Sequence, residues 1–195
     1  MRVLFLAPRA SSADLSAVRT KAAWLLLGLA LAGLVLPAAG AGSTESASVS
    51  ARHDLDQGIL IALNAVRQKQ GLRPLRTSPS LAAAARAHSL AMARRGFFAH
   101  EFPSGHPFWH RLERFYAFTG YRTWAVGENL AWRSPDLAAA EAVRLWLGSP
   151  THRRIMLDPK WREVGLAAIH ARSAPGPFSG GPVTIVTADF GLRLK

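Results

Sequence analysis

Histidine is the residue type with the widest scope for chemistry in this sequence, because the chain has seven histidines and no cysteine. The lack of cysteine excludes thiolate metal sites and thiol redox chemistry. An imidazole can still bind a metal ion, transfer a proton or hold a ligand by hydrogen bonds. The histidines are therefore the first candidates for a functional site.

Several short patterns around the histidines fail to complete a known motif. The zinc-binding sequence HExxH begins at His100, but Ser104 stands where the second histidine is needed. His106 and His110 have the spacing that places two imidazoles on one helix face, yet a metal site there would need a third ligand, so we interpret them as surface residues. His88 lies on an apolar helix face and is predicted to be a packed core histidine.

Three segments combine histidine, carboxylate and aromatic residues. They are FFAH at 97–100, GENLA at 127–131 and WLGSPTHR at 146–153. An N-x-x-R-x3-G-L-x-x-L pattern precedes them at 64–75, and Glu163-Val164-Gly165 follows them. In this order the five motifs resemble the CAP superfamily of cysteine-rich secretory proteins, antigen 5 and pathogenesis-related 1 proteins. The cysteine-free form is similar to its bacterial branch, and the resemblance runs from Leu55 to Gly191.

The resemblance implies an α+β fold, a three-layer α-β-α sandwich with a small antiparallel sheet. It also implies a surface cleft lined by two histidines and two acidic residues. The histidines correspond to His100 and His152, and the first acid corresponds to Glu128. Ser149 stands at the position of the second acid, which puts any two-carboxylate mechanism in doubt.

The chemistry of these side chains suggests a metal site. Two imidazoles and one carboxylate, from His100, His152 and Glu128, would make a three-ligand set for Zn²⁺ or another divalent ion, with an open position. A carboxylate between two imidazoles should raise their pKa values. Glu128 is the candidate catalytic residue, and Ser149 is expected to cap the helix that begins at Pro150.

Three functions remain open. We favour a non-catalytic exported module that binds a ligand in its cleft, with or without a metal. The second is a metal-dependent hydrolase of peptide or cell-wall polymer, in which Glu128 is a ligand or general base. The third is a lipid or sterol carrier with an aromatic groove, although core packing is the preferred interpretation of its rings. The aromatic residues concerned are Phe97, Phe98, Phe108, Trp109, Phe115, Tyr116 and Phe118.

Hydrophobic spacing predicts the helices that must position these residues. Apolar residues recur at helical spacing over 54–70 and again from Ser78-Pro79 to Gly96. A short aromatic helix is expected over 107–117. Ser134-Pro135 and Ser149-Pro150 each offer a serine and a proline, which typically begin a helix.

The pattern changes to strands after Pro159. Residues 164–170 and 183–190 are β-like, and glycine and proline fill the gap between them as a hairpin loop. Helices followed by strands predict an α+β domain with an antiparallel sheet.

The N-terminal region is predicted to direct export. Arg19 and Lys21 precede an uncharged apolar run over 22–37, and Ala39-Gly40-Ala41 suits cleavage before Gly42. This indicates a signal peptide over 1–41, with an uncleaved anchor as the alternative. Residues 42–53 are expected to form a linker and residues 54–195 the domain. Both readings predict an extracytoplasmic location.

The charge indicates the kind of partner. Residues 1–41 hold four of the 24 basic and one of the 12 acidic side chains, so residues 42–195 keep a net charge of +9. Anionic envelope polymers or lipids are the expected partners outside the cytoplasm. Nucleic acid is discounted because the arginines are scattered and no recognition motif accompanies them. The sequence does not indicate an oligomeric state.

Overall fold

The computed structural model describes residues 2–6 and 49–195. Within them, the helices are α1 (His53–Lys69), α2 (Pro79–Arg95), α3 (Phe108–Phe115), α4 (Ala139–Gly148) and α5 (Pro150–Met156). The strands are β1 (Arg2–Leu6), β2 (Val49–Ala51), β3 (Arg76–Thr77), β4 (Thr123–Arg133), β5 (Glu163–Ala171) and β6 (Val183–Leu194). None of the helices in this part of the chain is both long and apolar enough to cross a membrane.

The strands form one sheet in the order β1-β4-β6-β5-β2, and β3 also pairs with β5. The central strands β4, β6 and β5 are antiparallel, and of these the sequence predicted β5 and β6. The outer strands β1 and β3 run parallel to their neighbours. Strand β1 pairs with residues Thr123 to Gly127 of β4, so its register ends one residue before Glu128.

Helices cover both faces of the sheet and confirm the three-layer α-β-α sandwich. Alternate residues of β4 show this, because successive side chains of a strand point to opposite faces. Ala125 and Ala131 belong to the core under α1, α4 and α5. Trp124 and Val126 pack with α2 and α3 on the other face. The predicted α+β class is therefore confirmed.

Local signals define the two long helices as the sequence predicted. The Ser78 hydroxyl accepts a hydrogen bond from the Leu81 N–H at 3.4 Å, and Pro79 is the first residue of α2. Gly96 ends α2 with a φ of +64°, a left-handed conformation that glycine adopts at little cost. These ends fix where the chain leaves α2 toward His100.

Two expectations about helix starts are wrong. Helix α4 begins at Ala139 rather than at Ser134-Pro135, and that pair joins through a cis peptide bond in the turn after β4. The following Asp136 carboxylate accepts hydrogen bonds from Arg52 and Thr184 instead of opening a helix. Ser149 does occupy the N-cap position of α5, but its side chain makes no capping hydrogen bond.

The structure also adds to the predicted domain boundaries. Strand β2 pairs with β5, and α1 begins at His53, so residues 49–53 of the predicted linker belong to the sheet and the first helix. The backbone of β1 belongs to the sheet as well. The apolar run over 22–37 and the expected cleavage site lie outside the described residues, and the signal peptide stays a prediction.

The close approach of β5 to α2 leads to a testable prediction. A Cβ atom added to Gly165 would lie 2.0 Å from the Leu81 carbonyl carbon and 2.1 Å from the Ala82 nitrogen. Backbone atoms cannot move aside as a flexible side chain can, so Gly165→Ala should lower the free energy of unfolding by about 3 kcal/mol or more. Gly148→Ala is the control, because no atom lies within 4 Å of its added Cβ. Urea unfolding should leave that variant within about 1 kcal/mol of the parent.

Candidate functional site

Glu128 lies in the middle of β4, with its side chain on the face that α2 and α3 cover. Only 1% of the side chain is exposed. Its partner across the β4–β6 pairing is Asp189, whose side chain is fully buried. An ionised carboxylate at such a depth is stable only with opposite charge and hydrogen bonds around it.

Two basic side chains supply those partners. The Nδ1 atom of His100 lies 2.7 Å from Glu128 Oε1. The Arg111 guanidinium, from α3, donates from Nη2 to the other oxygen of Glu128. The same Nη2 lies 3.1 Å from Asp189 Oδ1. Both carboxylate oxygens of Glu128 are therefore engaged, and Arg111 joins the two acids into one cluster.

Burial and charge act in opposite directions on the two acids of this cluster. Burial would raise the pKa of Glu128, but the charge of Arg111, with His88 and His100, outweighs it and holds that pKa below its usual value. Burial raises the pKa of Asp189 well above its usual value, and the Glu128 charge raises it further against the effect of Arg111. The cluster therefore favours ionisation of Glu128 over ionisation of Asp189.

His88 forms the inner wall of the cluster and is the core histidine that the sequence predicted. Its side chain is fully buried, with Nε2 at 2.9 Å from the Ala99 carbonyl oxygen and 4.0 Å from Glu128 Oε1. The rings of Phe97 and Phe102 pack edge-on against the imidazole. Burial lowers the pKa of His88 to about 4, even though the Glu128 charge opposes the shift. A neutral His88 donates from Nε2 and holds the loop that carries His100.

His152 approaches the same region from the opposite layer. It lies on α5, which the Asn129 side chain holds to β4 by donating from Nδ2 to the His152 carbonyl oxygen at 3.0 Å. The His152 ring is partly buried, and burial followed by the positive charge of His100 lowers its pKa. The expected rise in the pKa of His152 is therefore wrong. Ser149, at the start of α5, is half-buried.

In this structure the predicted metal ligands His100, His152 and Glu128 are not gathered around one point, and metal binding by them stays a prediction. Among residues 2–6 and 49–195, no three histidine, aspartate or glutamate side chains converge as a metal ion would require. Both carboxylate oxygens of Glu128 already contact His100 and Arg111. The positive charge of the Arg111 guanidinium also opposes the binding of a cation beside it. The remaining nitrogen of His100 is the atom left for a ligand, since Nδ1 faces Glu128.

Two residues of the cluster, Arg111 and Asp189, were not predicted from the sequence. Arg111 lies on the buried face of α3 between Phe108 and Leu112, where an apolar residue is expected. Asp189 interrupts the apolar run of β6. The available signal was a basic residue on an apolar helix face together with an acid inside an apolar strand. Because buried charges need partners, this signal could have predicted that Arg111 and Asp189 pair.

Removing Arg111 should therefore destabilise the domain. Arg111→Met leaves two buried carboxyl groups without their shared cation, so the free energy of unfolding should fall by about 3–5 kcal/mol at pH 7. Arg114→Met is the matched control, because Arg114 is exposed on the same helix. Urea unfolding followed by circular dichroism measures both variants. Equal free energies of unfolding for the two variants would contradict the proposed contribution of the cluster to stability.

Burial of neutral His88 should make stability depend on pH. The pKa falls from the ordinary 6.5 to about 4 on folding, so below pH 6.5 the unfolded chain takes up a proton that the folded chain does not bind. The His88 contribution should be about 2 kcal/mol smaller at pH 5 than at pH 7.5.

His88→Gln tests this pH dependence, because its amide can still donate to the Ala99 carbonyl oxygen. Unfolding at the two pH values should show a smaller loss of stability for His88→Gln than for the parent. His106→Gln, at an exposed histidine, should keep the parent's dependence. An unchanged loss in His88→Gln would show that other groups cause the acid sensitivity.

Comparison with known proteins agrees with this fold. The family model described as CAP, the cysteine-rich secretory protein family, matches residues 60–190. Uncharacterized protein YkwD of Bacillus subtilis (strain 168) is 31% identical over 134 residues, which cover 67% of this chain and 49% of YkwD. The chain thus spans about half the length of this curated relative.

Two solved structures share the fold. One is an extracellular protein containing a SCP domain from Bacillus anthracis str. Ames, with a TM-score of 0.54 and 24% identity, over 73% of this chain and 41% of that chain. The other is an outer surface protein from Borrelia burgdorferi, with a TM-score of 0.57 and 16% identity, over 75% of this chain and 99% of that chain. Since the family match covers more than half of the sequence, and the sandwich agrees with it, the chain belongs to the CAP (cysteine-rich secretory protein) family.

Proposed function

We propose that this protein is an extracytoplasmic CAP module that binds a cell-wall polymer in the cleft at His100 and His152 and does not turn it over. The observation that carries the proposal is the engagement of both Glu128 oxygens by His100 and Arg111. A carboxylate fixed in this way orients a histidine rather than attacking or coordinating a substrate. The extracellular and outer-surface descriptions of the two structural neighbours support the location.

The cleft side chains suit recognition of a polar ligand. The His100 side chain is 15% exposed, and Glu128 fixes the orientation of its ring. His152 is half-buried, so both imidazoles are partly accessible to a ligand. The Phe108 ring lies 6.2 Å from the His100 ring and supplies an apolar wall. Ligand sites typically combine a small number of fixed polar groups with an apolar wall.

A metal-dependent hydrolase is the less favoured function. It requires Glu128 as a ligand or as a general base, but a carboxylate with a lowered pKa and two bound partners is a weak base. Zinc binding by His100, His152 and Glu128 stays a prediction that titration can test.

A lipid carrier has less support still, because most of the aromatic residues lie in the core. Phe108 and Tyr116 are buried in the cluster under α3, with Trp109 and Phe118 packed against it. Phe97 and Phe98 pack against a second cluster. Core packing, the preferred interpretation of these rings, accounts for them without a groove.

Binding to peptidoglycan sacculi stripped of anionic polymers tests the proposed function. The full chain should co-sediment with them, and His100→Ala/His152→Ala should bind about tenfold more weakly, because two ligand hydrogen bonds are lost. The matched control is His106→Ala/His110→Ala, which removes two exposed histidines.

A chelator should leave this binding unchanged, and no soluble fragments should accumulate. Binding that needs zinc would support the metal-assisted version instead. Release of fragments that stops in Glu128→Gln would establish the hydrolase and refute the non-catalytic proposal.

A further inference from the structure

A second feature outside the cleft is a basic pocket where β4 and β5 begin and β6 ends. Three arginines from distant parts of the sequence line it, and a fourth, Arg122, lies beside it. Arg76 on β3 donates its N–H to the Arg162 carbonyl, and the Arg162 N–H bonds to Gly191 on β6. Just before β4, the Arg122 backbone N–H donates to the carbonyl oxygen of Leu194 on β6.

The pocket has a volume of about 320 Å³. Its walls are Arg76, Tyr121, Arg162, Glu163, Arg193 and Leu194. Three cations thus face a single carboxylate. Arg122 follows Tyr121 in the sequence, and its Nη2 donates to the Lys195 backbone oxygen at 2.9 Å, so a fourth guanidinium lies beside the pocket.

Neighbouring groups hold two of the arginines in place. The Arg193 guanidinium lies 3.8 Å from the centre of the Tyr116 ring and 4.9 Å from that of Tyr121. Arg162 donates from Nη1 to three backbone carbonyls at 2.8–3.0 Å. Neither set of contacts cancels the charge, because aromatic faces and carbonyl oxygens are neutral. The guanidinium groups are therefore oriented before a ligand arrives, which reduces the entropy lost on binding.

The one carboxylate of the pocket is partly occupied. Glu163 Oε2 accepts a hydrogen bond from the buried Tyr116 hydroxyl at 2.5 Å, and Oε1 lies 4.0 Å from Arg76 Nη2. Burial, together with Glu163, raises the pKa of Tyr116 well above its usual value, so the hydroxyl keeps the proton that it donates. The Arg76 side chain is 80% exposed and is free to turn toward a ligand.

We propose that this pocket binds the phosphate groups of an anionic envelope polymer, with Arg76, Arg162 and Arg193 as the phosphate-binding residues. Guanidinium forks match phosphate oxygens in charge and geometry. The continuation of charge to Arg122 fits a chain of repeated phosphates better than a single small anion. The proposal rests on the envelope location proposed above but not on the His/Glu cleft.

Binding of poly(glycerol phosphate) to the full chain tests the proposal at low and at physiological salt. Arg76→Gln/Arg193→Gln should weaken binding more than about tenfold, because two charge-assisted contacts are lost. Arg76→Gln alone should weaken binding by a smaller factor. Because the Arg76 side chain is exposed, this variant should fold as the parent does. The control Arg86→Gln/Arg94→Gln removes two exposed cations from α2 and should weaken binding less than about threefold.

The outcomes separate this proposal from the proposed function. Equal weakening by the two double variants would overturn the pocket, because only net charge would then matter. Tighter binding to phosphatidylglycerol vesicles or to single-stranded DNA than to the polymer would also overturn it. The cleft proposal fails separately, when the histidine variant binds stripped sacculi as well as the parent does.

Discussion

The buried carboxylate of Glu128 is the constraint on which the candidate site depends. A charge at 1% exposure would be too costly without partners, so the fold surrounds it with Arg111 and His100. Each partner comes from a different segment, and each is thereby fixed to β4. The loop after α2 and the helix α3 are therefore positioned by this charge in addition to their apolar contacts.

The same cluster supplies the second acid that the cleft motif lacks at Ser149, but in a different place and state. Asp189 lies behind Glu128 on β6, beyond the reach of solvent. Burial and the Glu128 charge raise its pKa, so Glu128 is the acid that ionises more readily, and Arg111 joins the two. A buried pair of this kind stabilises the sheet and orients His100, which is why binding rather than turnover is the function that we propose.

The two proposed sites differ in chemistry. The proposed cleft would offer the imidazoles of His100 and His152, whereas the end of the sheet has arginines held by tyrosines and backbone carbonyls. An envelope contains both neutral glycan-peptide material and phosphate-bearing polymers, so two such sites on one small domain would let it recognise the wall by both components. Part of the positive charge of the chain would then serve recognition as well as solubility.

The sequence by itself determined the fold class, the family, the two long helices and the last two strands. It did so because helical periodicity, Ser-Pro and glycine signals and ordered motifs are local. Strand β4 was not predicted, since helices cover both of its faces and its side chains do not alternate between apolar and polar. Only the tertiary structure decided that Arg111 and Asp189 complete the site of Glu128 and that three arginines line a pocket at one end of the sheet. Those contacts join residues up to 78 positions apart in the cluster, and no local pattern encodes which buried charges become partners.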